Sequence, residues 1–140
     1  MKKYNAAFFN LYENWFKLIK EEFGENKAID LFKKVMEMGL TKAYGNNFKK
    51  GLTSEFARLV GERDNHVGLV VQFPEVLENK IIYQFYTNPF PNLKNEIAPQ
   101  KLDGTYIAFK IRYILGPQWS YKNNTHLWNG DHCTEFVIFK

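Results

Sequence analysis

The sequence predicts an α+β fold, with helices in the first half and an antiparallel sheet interrupted by one helix in the second. Three observations carry this reading. Apolar residues recur at spacings of three and four up to Arg63. Beyond it, short β-branched and aromatic runs are bounded by Asp, Asn and Pro. No repeat, low-complexity stretch or linker divides the 140 residues, so the whole chain (1–140) reads as one domain.

The first helix runs from Asn5 to Phe23, with Phe8, Tyr12, Trp15, Ile19 and Phe23 on one face. Asn5 can cap its start, and Gly24 follows its end. Asn26 opens a second helix through Ile29, Phe32, Val35 and Met36 to Gly39 or somewhat beyond. Tyr44-Gly45-Asn46-Asn47 reads as a turn. A third helix spans Thr53 to Arg63, with Phe56, Leu59 and Val60 inward. Strands follow at Val67–Phe73 and Lys80–Thr87. Residues 88–101 contain Pro89, Pro91 and Pro99 and read as loop. Asp103 is placed to cap a fourth helix through Tyr106, Phe109, Ile111, Tyr113 and Ile114, ended by Gly116-Pro117. This helix is apolar nearly all round, which predicts burial against the sheet. The closing strands are Ser120–Trp128 and Asp131–Phe139, joined by Asn129-Gly130 as a type I′ turn. The ββαββ order gives one sheet of about four strands with helices packed on it.

Composition narrows the function classes. Residues are 45% hydrophobic and 17% aromatic, enough to exclude a disordered chain and to supply pocket walls. The net charge of +4 comes from scattered pairs such as Lys2-Lys3, Lys33-Lys34 and Lys49-Lys50, interleaved with Glu21-Glu22 and Glu55. A solvated helical surface explains this pattern better than a nucleic-acid face. The single cysteine, Cys133, allows no intramolecular disulfide. The charged start lacks a signal-peptide pattern, and no run approaches the ~18 apolar residues of a membrane span. The expected setting is the cytoplasm, with neither membrane nor nucleic acid as partner.

The expected hairpin register places chemistry. With Asn129 and Gly130 as the turn, Trp128 pairs with Asp131, His126 with Cys133 and Asn124 with Glu135. Directly opposed side chains share a face, roughly 4.5–5.5 Å apart at Cβ. A thiol beside an imidazole can act as a thiolate nucleophile, and a carboxylate nearby can orient the base. The competing reading is a buried structural cysteine. Arg112, in an apolar stretch, can clamp a substrate carboxylate or snorkel to solvent. Asp103 is either catalytic or a helix cap. Tyr106 and Asn88 complete the candidate binding residues, with Trp128, Asp131 and Glu135. His132 points to the face opposite Cys133. The three His and one Cys show no paired zinc spacing, and phosphate-loop and GxSxG motifs are absent. No metal and no cofactor is expected.

The stretch His126-Leu-Trp-Asn-Gly130-Asp131-His-Cys133-Thr-Glu-Phe136 resembles the closing hairpin of the L-2-amino-thiazoline-4-carboxylic acid hydrolase-like family. Gly130, Asp131, Cys133 and Phe136 carry the resemblance, and Asp103 matches it more loosely. A similar ending occurs in the vinyl-reductase-type ligand-binding domains, whose fold is shared with Golgi transport subunits and haem-nitric-oxide sensors. The resemblance covers about the last half of the chain. It implies hydrolytic opening of a small cyclic amidine at a C–N bond, with Cys133 as nucleophile or polar wall and His126 as base. Asp103 or Glu135 would orient the base, and Arg112 would hold the carboxylate. Where that family is expected to have Cys-Pro, this chain has Asn88-Pro89. The alternative is a non-catalytic, sensor-type module for a small flat or apolar ligand. A haem ligand in such a module would be His66, His126 or His132. A homodimer through the aromatic first helix is a third reading.

Overall fold

The computed structural model describes residues 3–140. Met1 and Lys2, and so part of the Lys2-Lys3 pair, lie outside them. Helices α1 (Ala6–Phe23), α2 (Glu25–Tyr44) and α3 (Thr53–His66) precede strands β1 (Val71–Leu77) and β2 (Lys80–Phe85). Helix α4 (Pro99–Ile114) and strands β3 (Ser120–Thr125) and β4 (Thr134–Phe139) complete the chain. The sheet is antiparallel throughout, in the order β1-β2-β4-β3. The α+β architecture and the ββαββ order are as the sequence predicts. No helix among the described residues is long and apolar enough to cross a membrane.

Helix α1 begins where expected, with Asn5 Oδ1 accepting from the Phe8 backbone N–H at 3.1 Å. Its buried face differs. Phe9, Glu13 and Phe16 are buried, Phe8, Tyr12 and Ile19 pack against the core at half burial, and Trp15 and Phe23 are exposed. The helix carries apolar residues on two sides, and the core takes the side that also holds Glu13. That carboxylate accepts from the Asn92 backbone N–H at 2.7 Å and from Asn92 Nδ2 at 3.0 Å. It thereby caps the 3₁₀ turn Pro91–Leu93 with a buried anion. Leu11, Trp15 and Leu18 are left as an exposed apolar stripe on α1.

Element ends move where tertiary contacts outweigh local signals. Helix α2 continues through Gly39 to Tyr44, its glycine lying against the Tyr12 hydroxyl. Helix α4 starts at Pro99, whose missing N–H costs nothing at a first helical position. Asp103 therefore sits in the second turn and is not the cap. Strand β1 begins later than expected and runs through Pro74, which lies at a bulge on the sheet edge, where a missing N–H is tolerated.

The inner face of the sheet presents Ile81, Tyr83 and Phe85 of β2 opposite Ile138, Phe136 and Thr134 of β4, all buried. Helix α4 lies over this face and buries side chains from Leu102 to Ile114. The link from α3 to β1 depends on Gly68, which has φ +82 and packs against the backbone of Lys3 and Tyr4. A Cβ there would lie 2.0 Å from the Lys3 carbonyl oxygen. Gly68→Ala combines that overlap with a left-handed backbone, which alone costs about 1–2 kcal/mol. The variant should lose at least about 2 kcal/mol of unfolding free energy in urea, the sum of strain and displacement.

Candidate functional site

A single extra residue decides which side chains meet. Strand β3 pairs with β4 as Ser120↔Phe139, Tyr121↔Ile138, Lys122↔Val137 and Asn123↔Phe136. This is the register the sequence suggests. A bulge at Asn124 then sets Thr125 opposite Glu135. Side chains alternate with period two, so one inserted residue exchanges the faces of everything beyond it. His126 and Trp128 turn inward and are buried, while Cys133 and Glu135 stay on the outer face of the sheet.

The turn also differs from the expected type I′ form. Residues Leu127–Asn129 make a 3₁₀ turn, closed by Gly130 in the left-handed region at φ +84. The backbone N–H groups of Asn129 and Asp131 both donate to the His126 carbonyl, at 3.0 and 3.3 Å. Asp131 Oδ2 accepts from the His126 backbone N–H at 2.8 Å, so Asp131 fixes the loop and does not line a pocket. The expected His126–Cys133 pair does not form.

The inner cluster joins α4 to this loop. Asp103 Oδ2 lies 2.7 Å from His126 Nε2, and Asp103 Oδ1 accepts from the Tyr106 hydroxyl at 2.6 Å. The Trp128 backbone N–H donates to His126 Nδ1 at 3.0 Å. That bond leaves the ring proton on Nε2, which donates to Asp103. Both imidazole nitrogens are therefore engaged, and the ring keeps no free lone pair for base catalysis. Asp103 and His126 are both buried. Burial, followed by the Asp103 charge, raises the Tyr106 hydroxyl well above its ordinary pKa. A cavity of about 10 Å³ lies here, walled by Asn88, Phe90, Asp103, Tyr106, His126 and Trp128. The Trp128 Nε1–H is buried without a hydrogen-bond partner.

A second cluster lies one turn further along α4. Lys110 is buried, with Nζ 3.1 Å from the Tyr83 hydroxyl and 3.5 Å from Asp64 Oδ1. The Tyr83 hydroxyl donates to Asp64 Oδ2. The rings of Tyr83, Phe85 and Tyr106 surround the amine, with centroids at 5.4, 5.5 and 5.4 Å. Burial pushes the Lys110 pKa down, more than Asp64 holds it up. Burial and the Asp64 charge push Tyr83 well up. Lys110, Asp64, Arg63 and Tyr106 line a cavity of about 30 Å³ with apolar walls. The two cavities share Phe85, Pro89, Phe90 and Tyr106.

The structure thus sorts the sequence-predicted residues into three places. Asp103, Tyr106, His126, Trp128 and Asn88 converge inside. Cys133, Glu135 and Asn124 share the outer face, where Glu135 accepts from Asn124 Nδ2 at 2.9 Å and from Gln84 Nε2 at 2.7 Å. These two hydrogen bonds hold the Glu135 carboxyl below its usual pKa. Cys133 is half-buried, with Sγ 4.0 Å from Thr125 Oγ1. Arg112 lies on the far side of α4, exposed, 3.7 Å from Glu37 and stacked on Phe109. It borders a separate surface groove of about 450 Å³ and cannot clamp a ligand held by Asp103. Sequence reading missed Lys110, Asp64 and Tyr83. The available signal was spacing: Lys110 follows Asp103 by seven positions and Tyr106 by four, which puts all three on one helical face.

Among the described residues, no group of three or more His, Cys, Asp or Glu side chains is placed to hold a metal ion. His126 has no free nitrogen for a haem iron, and His66 and His132 lie on the exposed surface, apart from both cavities.

No protein-family model matches the chain, and no curated protein matches it.

The geometry sets the outcome of two substitutions. In Asp103→Asn the amide can accept from one donor but turns its NH₂ toward the other. One buried N–H or O–H is left unpaired, at about 1–3 kcal/mol, readable as a loss in denaturant midpoint at unchanged m-value. His126→Ala should leave the rate of Cys133 alkylation by iodoacetamide unchanged at every pH tested. A slower reaction in that variant would show that the imidazole reaches the thiol.

Proposed function

We propose that the chain is a small-ligand-binding domain whose site lies between α4, the inner sheet face and the loop following β3. The observation that carries this reading is the buried, unpartnered Nε1–H of Trp128, a residue that lines the small cavity beside the Asp103–His126 pair. An unsatisfied buried donor costs about 1–3 kcal/mol, and an acceptor on a ligand offsets it. Around that donor the walls are aromatic, which suits a flat apolar body with one hydrogen-bond acceptor.

Entry requires the segment after β2 to yield. Pro89 and Phe90 line both cavities, and Asn88 lines the smaller one. They are held by the Tyr4 hydroxyl on the Pro89 carbonyl at 2.9 Å and by Asn88 Oδ1 on the Phe90 N–H at 3.1 Å. The Phe90 ring also packs against Phe9, Tyr12, Phe32 and Tyr106, so entry has to displace a well-packed ring that lines both spaces.

A Cys133 thiolate opening a cyclic amidine is a weaker reading. The thiol is on the opposite face of the sheet, His126 is saturated, and Arg112 is remote. The resemblance of the closing segment to the thiazoline hydrolases is kept as a proposal for the fold and not for the reaction. Incubation with 2-amino-thiazoline-4-carboxylate should yield no ring-opened product.

The binding reading is tested with a panel of small heteroaromatic compounds bearing one acceptor, scored by thermal shift and confirmed by native mass spectrometry. Binding to the wild type should weaken at least about tenfold in Trp128→Phe, which removes the indole N–H, a hydrogen bond of about 1.4 kcal/mol, together with part of the aromatic surface. If no compound binds saturably and Trp128→Phe is as stable as the wild type, the reading fails.

A further inference from the structure

Lys110 is a buried cation whose partner geometry leaves it under-engaged. A charge-assisted N–H···O bond is normally about 2.7–2.9 Å long. Lys110 Nζ instead stands 3.5 Å from Asp64 Oδ1, because the other Asp64 oxygen is taken by the Tyr83 hydroxyl. An ammonium offers three donors, and two contacts are made, to Asp64 and Tyr83. Three aromatic rings surround it, and the Lys110 side chain lines the larger cavity together with Asp64 and Tyr106. A nucleophilic amine needs a cavity for its substrate, and burial favours its neutral, reactive form at lower pH than for a surface lysine.

We propose that Lys110 is an imine-forming lysine, taking a short aliphatic aldehyde by condensation of its Nζ with the carbonyl carbon in the cavity it lines with Asp64 and Tyr106. This goes beyond the ligand-binding reading, on which it rests for access to the interior, by giving the larger cavity a ligand class of its own, a small carbonyl compound. The proton path is already in place. Asp64 takes a proton from the ammonium, and the freed lone pair attacks the carbonyl carbon, forming the C–N bond. The carbonyl oxygen takes the Tyr83 hydroxyl proton, which Asp64 replaces through its contact with that hydroxyl. Asp64 then takes a second proton from nitrogen. The carbinolamine hydroxyl receives that proton through Tyr83, and the C–O bond breaks. The products are one water and a protonated imine paired with the Asp64 carboxylate, so atoms and charge balance. The cavity of about 30 Å³ has room for roughly two waters, which restricts the aldehyde to a short chain.

The test uses the wild-type chain, acetaldehyde and sodium cyanoborohydride at neutral pH, with peptide mass spectrometry resolving each lysine. Ethylation of Lys110 is expected at least tenfold faster than at exposed Lys33 or Lys34, and several-fold slower in Tyr83→Phe. Labelling of the exposed lysines with Lys110 untouched overturns the inference. A heteroaromatic compound that raises the melting temperature while Lys110 stays unlabelled overturns the imine and leaves the ligand-binding reading standing. Labelling of Lys110 without binding of any such compound supports the imine and removes only the indole-donor site. The readout is site-resolved in the wild type, so it does not depend on a Lys110 variant that folds.

Discussion

Helix α4 carries a carboxylate and an amine into the core, and the surrounding structure is organised by the need to satisfy them. Asp103, Tyr106 and Lys110 lie on one face, and each is buried. A buried charge without partners costs several kcal/mol, so the fold has to deliver partners from elsewhere in the chain. Asp103 receives them from the loop after β3 through His126 and from its own helix through Tyr106. Lys110 receives them from α3 through Asp64 and from β2 through Tyr83. Asp103 and His126, 23 positions apart, meet within the second half of the chain, whereas Lys110 and Asp64, 46 apart, meet only when both halves have assembled.

The bulge at Asn124 belongs to the same requirement. Without it His126 would face outward beside Cys133, and Asp103 would be buried with Tyr106 as its sole partner. With it, Asn123 Nδ2 takes up the carbonyls of Thr125 and Glu135 at 2.7 and 3.0 Å, so the interrupted ladder keeps its acceptors occupied. The local cost of an irregular pair is offset by burial of an imidazole that is bonded at both nitrogens. A bulge next to a polar cluster re-aims a side chain in this way while leaving the rest of the strand in register.

The fold was legible because the change of hydrophobic period near residue 66 is sharp and the turn residues bound each strand. Its boundaries were less so. Gly39 marks the end of α2 by local signal, but the contacts of Leu40 and Tyr44 with the core carry the helix past it. Half of the candidate site was legible as residue types: Asp103, Tyr106, His126, Trp128 and Asn88 do converge. Their arrangement was not, because period-two alternation predicts faces only for an uninterrupted strand, and nothing in Asn123-Asn124-Thr125 announces an inserted residue. Arg112 attracted notice as a charge in an apolar stretch, yet it follows Asp103 by nine positions, about 180° around the helix. Lys110 met the same criterion and has the right angle. Helical phase, applied to every charged residue of α4, separates the two without coordinates.

The two polar clusters are joined by one side chain. The Tyr106 hydroxyl belongs to Asp103, while its ring covers the Lys110 amine at 5.4 Å and forms part of the wall between the cavities. Phe90 packs against the same ring, with centroids 6.2 Å apart. Any displacement of Phe90 that turned Tyr106 would therefore act on both clusters together: it would free an Asp103 oxygen and uncover Lys110. A freed, buried carboxylate oxygen would have to be satisfied in turn by another donor. Under the proposed binding reading, a ligand that leaves Tyr106 in place needs only an acceptor for the Trp128 indole, whereas one that turns Tyr106 aside needs a donor for Asp103 as well.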